Sequence, residues 1–73
     1  MGHQIKDAEL LRQIALKLKR LRETKGVSQR DVLDETDIHI ARIETAKVNI
    51  SVSTLAGLCR YFNISLADFF TGL

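Results

Sequence analysis

The sequence predicts an all-α fold, a compact bundle of five short helices. Three observations carry that prediction. The 73-residue chain has no Pro and only four Gly, which favours helices over a turn-rich β fold. Leu10, Leu11, Ile14, Leu18 and Leu21 recur at the spacing of one helix face. One local pattern, an apolar residue then Ser, with a polar and an apolar residue three and four places after the Ser, occurs at Val27-Ser28, Ile50-Ser51 and Ile64-Ser65. In each case Ser can accept from the orphan N–H groups of a helix start. The preceding apolar residue can also pack on the apolar residue that ends the pattern, as a hydrophobic staple.

The first helix opens near Asp7, a suitable N-cap, and Gly26 is placed to end it. The second starts at Ser28 and runs to about Glu35, with Asp31 able to complete a capping box. The third lies within "DETDIHIARIET", residues 34–45. Ile40 and Ile43, three apart, should face the core. Its start is open between Asp37, the better capping side chain, and His39, which would allow an Ile38–Ile43 staple. About two turns are expected, ending near Ala46. The fourth helix, Ser51 to about Phe62, should bury Val52, Leu55, Leu58, Cys59 and Phe62. The fifth runs from Ser65 to about Thr71, with Asp68 able to complete a second capping box. Loops of a few residues suit such a bundle.

Length and composition bound the function. Seventy-three residues make one domain, 1–73, with a marginal core. No apolar run approaches the roughly 18 residues that span a bilayer, and "MGHQIKDAEL" lacks the apolar stretch of a signal peptide. The single cysteine, Cys59, permits no internal disulfide, so a cytoplasmic location is expected. Residues 6–30 carry a net charge of +5 and residues 31–46 a net −4. A basic first third suggests a polyanion partner, and the acidic middle argues against one.

The ordered set Leu21-Arg22, Gly26-Val27-Ser28-Gln29, Ile43-Glu44, Asn49-x-Ser51-x-x-Thr54-Leu55 and Ile64-Ser65-Leu66 resembles the lambda-repressor-like helix-turn-helix family, the Cro-like and xenobiotic-response-element-type DNA-binding domains. The resemblance covers about residues 14–70. It implies a five-helix domain whose helix-turn-helix occupies about residues 28–45, with the third helix entering the major groove. It also implies an ion pair between Arg22 and Glu44, and a phosphate contact by Gln29 at a helix N-terminus.

The chain departs from the family pattern. Between Ser28 and Glu44 it is about three residues short. The usual turn glycine is absent, with Asp37 the nearest candidate. Ala46 stands where a glycine usually ends the recognition helix. A left-handed non-glycine residue costs about 1 kcal/mol or more, so a different ending is expected. Leu33 replaces a small residue and could fill the space of a missing turn. If the shortening lies in the turn, Asp37, Ile38 and Arg42 face the bases. If it lies in the third helix, His39, Ala41, Arg42 and Thr45 form the outer face. The second placement is favoured because it buries Ile38.

The candidate DNA-binding residues are therefore Ser28, Gln29, His39, Ala41, Arg42, Thr45, Lys47 and Asn49, with Arg22 and Glu44 as a structural ion pair. Each has a plainer reading. Arg42 could pair with Asp37, Asn49 could hold a turn, and Lys17, Lys19, Arg20, Arg22 and Lys25 could form a solvated face. His3 and His39 have no Cys or carboxylate at ligand spacing, so no metal is expected. Cys59 falls on an apolar stripe and should be buried and inert. No nucleophile, base and orienting acid converge and no phosphate loop occurs, so neither an enzyme, a cofactor nor a small-molecule site is expected. The expected function is sequence-specific binding of double-stranded DNA by a homodimeric transcriptional regulator. Phe69, Phe70 and Leu73 would dock in the core or form the dimer contact. The rival is a protein-interaction module on the same scaffold, because Asp31, Asp34, Glu35 and Asp37 crowd the helix-turn-helix.

Overall fold

The computed structural model describes residues 5–73. Gly2 and His3 lie outside the described residues. Five helices follow one another, α1 (Ala8–Lys25), α2 (Gln29–Thr36), α3 (Ile40–Ile43), α4 (Val52–Tyr61) and α5 (Leu66–Phe70). No strand occurs among the described residues.

The helix ends follow from local chemistry. Asp7 accepts a bond from the Leu10 N–H, and left-handed Gly26 (φ 78°) closes α1 by donating to the carbonyls of Arg22 and Glu23. A residue without Cβ takes that conformation at no steric cost. Ser28, Ser51 and Ser65 each accept from the N–H three residues on. At Ser28 the Asp31 carboxylate also accepts from the Ser28 N–H, which closes the capping box. Asp68 makes no such return bond to Ser65. Its charge still lies in the first turn of α5, where the helix dipole favours it.

The core is continuous. Leu18, Val32, Ile40, Leu58 and Phe69, one from each helix, are fully buried and belong to one cluster. Val27, Ile50 and Ile64 pack against that cluster from just before their helices, the positions expected of the staples. Cys59 is buried, and burial raises its thiol pKa. Two apolar residues are corrected. Leu10, expected on the buried stripe, and Val52, expected in the α4 core, are both exposed, Val52 at 73%. Val52 is the first residue of α4, and the buried face begins one turn later at Leu55. Phe69 and Phe70 divide the roles expected of them: Phe69 is buried, whereas Phe70 and Leu73 are exposed.

α3 is also shorter than expected. It has four residues, one turn rather than two. His39 precedes it but makes no side-chain capping bond, and Asp37 ends α2 instead, in the left-handed conformation (φ 63°). Asp tolerates that region better than most residues. The Thr36 hydroxyl steadies the turn, donating to the Val32 carbonyl at 2.7 Å and accepting from the Ile38 N–H at 3.1 Å. After α3 the chain tightens through bonds from Thr45 to Arg42 and from Ala46 to Ile43. Ala46 is itself left-handed (φ 62°), contrary to the expectation that a non-glycine would be spared that conformation. The chain bears that cost in order to turn toward α4.

Candidate nucleic-acid interface

α2, the turn at 37–39 and α3 form a helix-turn-helix. Ile40 is fully buried, and Ile38 and Ile43 pack against the core. With those three facing inward, His39, Ala41 and Arg42 are exposed. The turn is present with left-handed Asp37 in place, and α3 after it is a single turn. Arg42 makes no side-chain hydrogen bond or ion pair among the described residues, to Asp37 or to any other acid.

α3 is held from behind by an ion pair. Arg22 Nε donates to Glu44 Oε2 at 2.8 Å and Nη2 donates to Oε1 at 3.2 Å, while Nη1 donates to the Val27 carbonyl at 3.2 Å. The two side chains are 14% and 7% exposed. Bonding to the Glu44 carboxylate raises the pKa of the guanidinium. This bidentate geometry ties the end of α1 to the residue just after α3.

Of the candidates, Gln29, His39, Ala41, Arg42 and Asn49 line two surface grooves, whereas Ser28, Thr45 and Lys47 line neither of these. One, of about 220 Å³, lies between α2 and α3 and is lined by Gln29, Leu33, His39 and Ala41 among others. Leu33 therefore does not fill the space of a missing turn, because an open groove remains beside it. The other, of about 380 Å³, is lined by Asp37, His39, Arg42, Asn49, Ser51 and Thr54 above an apolar floor. His39 is the ridge between them. Ser28 and Gln29 sit at the start of α2, Ser28 engaged as its cap and Gln29 donating from Nε2 to Glu44 Oε1 at 2.9 Å. The Thr45 hydroxyl turns back on the chain, donating to the Arg42 carbonyl at 2.6 Å and accepting from the Lys47 N–H at 3.3 Å. Lys47 is exposed. Asn49 donates to the Ile5 carbonyl at 3.2 Å, which draws the segment before α1 toward this loop.

The four acids do not lie on one face. Glu35 accepts from the Tyr61 hydroxyl at 3.1 Å. Tyr61 has a raised pKa, chiefly from burial, then from Glu35, with a contribution from Asp31. Asp31 and Glu35 thus occupy the flank of α2 beside α4, whereas Gln29 and Leu33 occupy the flank beside α3. Asp34 pairs with Arg30. Asp37 alone of the four shares a groove with Arg42. Bonding to the Ser28 backbone, then to its side chain, lowers the Asp31 pKa and keeps that charge at the α2 start.

The bases of α1 do not form a single face either. Lys17 donates to the carbonyls of Asp68 and Thr71, and so closes the C-terminal end of α5. Lys25 lies over the Tyr61 ring, 5.1 Å from its centroid. With Arg22 committed to Glu44, the exposed bases of this run without a partner among the described residues are Lys19 and Arg20. Sequence spacing showed the charges but not these long-range partners, and no local signal marks them.

Among the described residues, no group of three or more His, Cys, Asp or Glu could hold a metal ion. No described helix is long and apolar enough to cross a membrane.

A five-helix chain with a helix-turn-helix at its second and third helices defines a class of DNA-binding domain. Residues 18–69 match the helix-turn-helix family model, of the lambda-repressor-like, xenobiotic-response-element type, and the chain belongs to that family. The family is one of DNA-binding regulators of transcription. No curated protein and no solved structure gives a significant match.

Proposed function

We propose that the chain is a single-domain, sequence-specific binder of double-stranded DNA that regulates transcription as a homodimer, with α3 presenting Arg42 to the major groove. The observation that carries this reading is the state of Arg42. Among the described residues it is an exposed guanidinium without a partner, on a helix pinned from its other side by Ile40 and, just past its end, by Glu44. A planar fork of that kind suits guanine O6 and N7 together. His39 and Ala41 flank it, and Thr45 has its hydroxyl committed to the backbone, so few bases per half-site are read. Ser28 and Gln29 at the α2 N-terminus, with Lys47 and Asn49 after α3, supply phosphate contacts. Two half-sites about one DNA turn apart provide the affinity that one short helix lacks. Phe70 and Leu73 are exposed apolar groups available for the dimer contact.

Asp37 favours a second reading. It shares the Arg42 groove and repels phosphate there, as a protein-interaction module would allow. Selection from random duplex DNA by mobility shift separates the two. The DNA-binding reading expects an enriched sequence and a log–log salt slope of about −0.9 per phosphate neutralised, with Lys47→Ala reducing the slope by about one. Absence of duplex binding at low salt would transfer the face to a protein partner.

A further inference from the structure

We infer that Glu44 is a positioning residue for DNA binding, one that couples the Arg22 anchor on α1 to the orientation of the Gln29 amide at the start of α2. The inference rests on the DNA-binding reading and deepens it. The Glu44 carboxylate accepts three N–H bonds from two different helices. Two come from the Arg22 fork, at 2.8 and 3.2 Å, and the third comes from Gln29 Nε2 at 2.9 Å. Glu44 is 7% exposed at its side chain, whereas Gln29 is exposed. The acid is thus inside and the amide is at the rim.

An ionised carboxylate only accepts hydrogen bonds. It therefore decides which end of the Gln29 amide turns inward. The NH2 group must, and its second N–H bonds to none of the described residues. In the first turn of α2 the backbone N–H groups of Gln29 and Arg30 have no partner within the helix. One oriented side-chain donor and two backbone donors then address the same small anion, a DNA phosphate. Holding a Gln rotamer before binding removes part of the ordering cost that an unrestrained side chain meets on contact. Because Arg22 neutralises Glu44, the acid orients the amide without adding net negative charge near the phosphate. No local sequence signal marks this role, since Gln29 and Glu44 are 15 residues apart.

A double-mutant cycle on DNA affinity tests the coupling. Gln29→Ala is compared in the wild-type and Glu44→Gln backgrounds, using the duplex enriched by selection and the full chain. Expected is a loss of about three- to tenfold for Gln29→Ala in the wild type and under about twofold once Glu44 is replaced. Equal losses in both backgrounds overturn the positioning role while leaving DNA binding intact. No duplex binding by the wild type overturns the DNA-binding reading and this role with it. Side-chain amide relaxation in the free wild-type protein needs no variant. A rigid Gln29 NH2 group is expected, and motion like that of an unrestrained surface glutamine overturns the proposal even if Glu44→Gln fails to fold.

Discussion

α1 spans 18 residues, with Asp7 capping one end and left-handed Gly26 the other, and it buries Leu11, Ile14, Ala15 and Leu18. α3 spans four, lacks a side-chain cap, and buries Ile40. A helix of one turn is far below the length at which helices persist alone in water. α1 is therefore specified largely by its own residues, and α3 by what surrounds it. The Ile40 anchor, the Arg22–Glu44 tie and the Thr36 hydroxyl at the turn do for α3 what periodicity and caps do for α1. The element expected to read DNA is thus the one with the least stability of its own. Its outward face is set by which residues are pinned inward.

Removing the anchors tests this contrast most severely. Ile40→Ala should cost about 2–5 kcal/mol, because it empties a fully buried site. Val52→Ala, equally apolar but 73% exposed, should stay within about 0.5 kcal/mol. Urea unfolding followed by helix signal measures both, and equal effects would remove the distinction between pinned and solvated positions. Next in size, Arg22→Ala should cost about 3 kcal/mol, since it leaves the Glu44 carboxylate nearly buried without its partner. A change of melting temperature no larger than that of an exposed-pair variant such as Arg30→Ala would show that the tie does not hold α3.

Much of the fold is legible in the sequence for the same reason that α1 is. Ser28, Ser51 and Ser65 announce helix starts through bonds to residues three positions away, and stripes such as Ile14–Leu18 need no long-range knowledge. The misses fall where tertiary contacts decide. Val52 and Leu10 carry apolar side chains at helix ends, before the buried face begins. The length of α3 has no local determinant, because its cap position holds His39 and its ending depends on a strained Ala46. The candidate site is legible as residues and not as partners. Arg22 with Glu44 came from family resemblance, whereas Gln29 with Glu44 and Lys17 with α5 join segments that no spacing rule connects.

Smaller effects separate a bonded helix cap from an unbonded one. Ser28→Ala removes a working cap from α2 and should cost about 1 kcal/mol. His39→Ala removes a cap position that makes no bond and should leave thermal stability almost unchanged. Similar losses from both would mean that His39 supports α3 in some other way. Ala46→Gly should stabilise by about 0.5–1 kcal/mol, because glycine occupies the left-handed region without the Cβ clash. A loss of stability there would show that flexibility in the unfolded chain outweighs the strain.

In the proposed function a one-turn helix, held in place by its neighbours, still reads base sequence through Arg42. The direct measurement is a titration of wild-type and Arg42→Ala proteins against the selected duplex and against duplexes altered at each base pair. The expected result is a loss of about 1–3 kcal/mol on the preferred duplex, relaxed choice at one or two base positions, and a much smaller change in non-specific binding. An Arg42→Ala protein that keeps its full sequence preference would contradict it and place base reading elsewhere on the molecule.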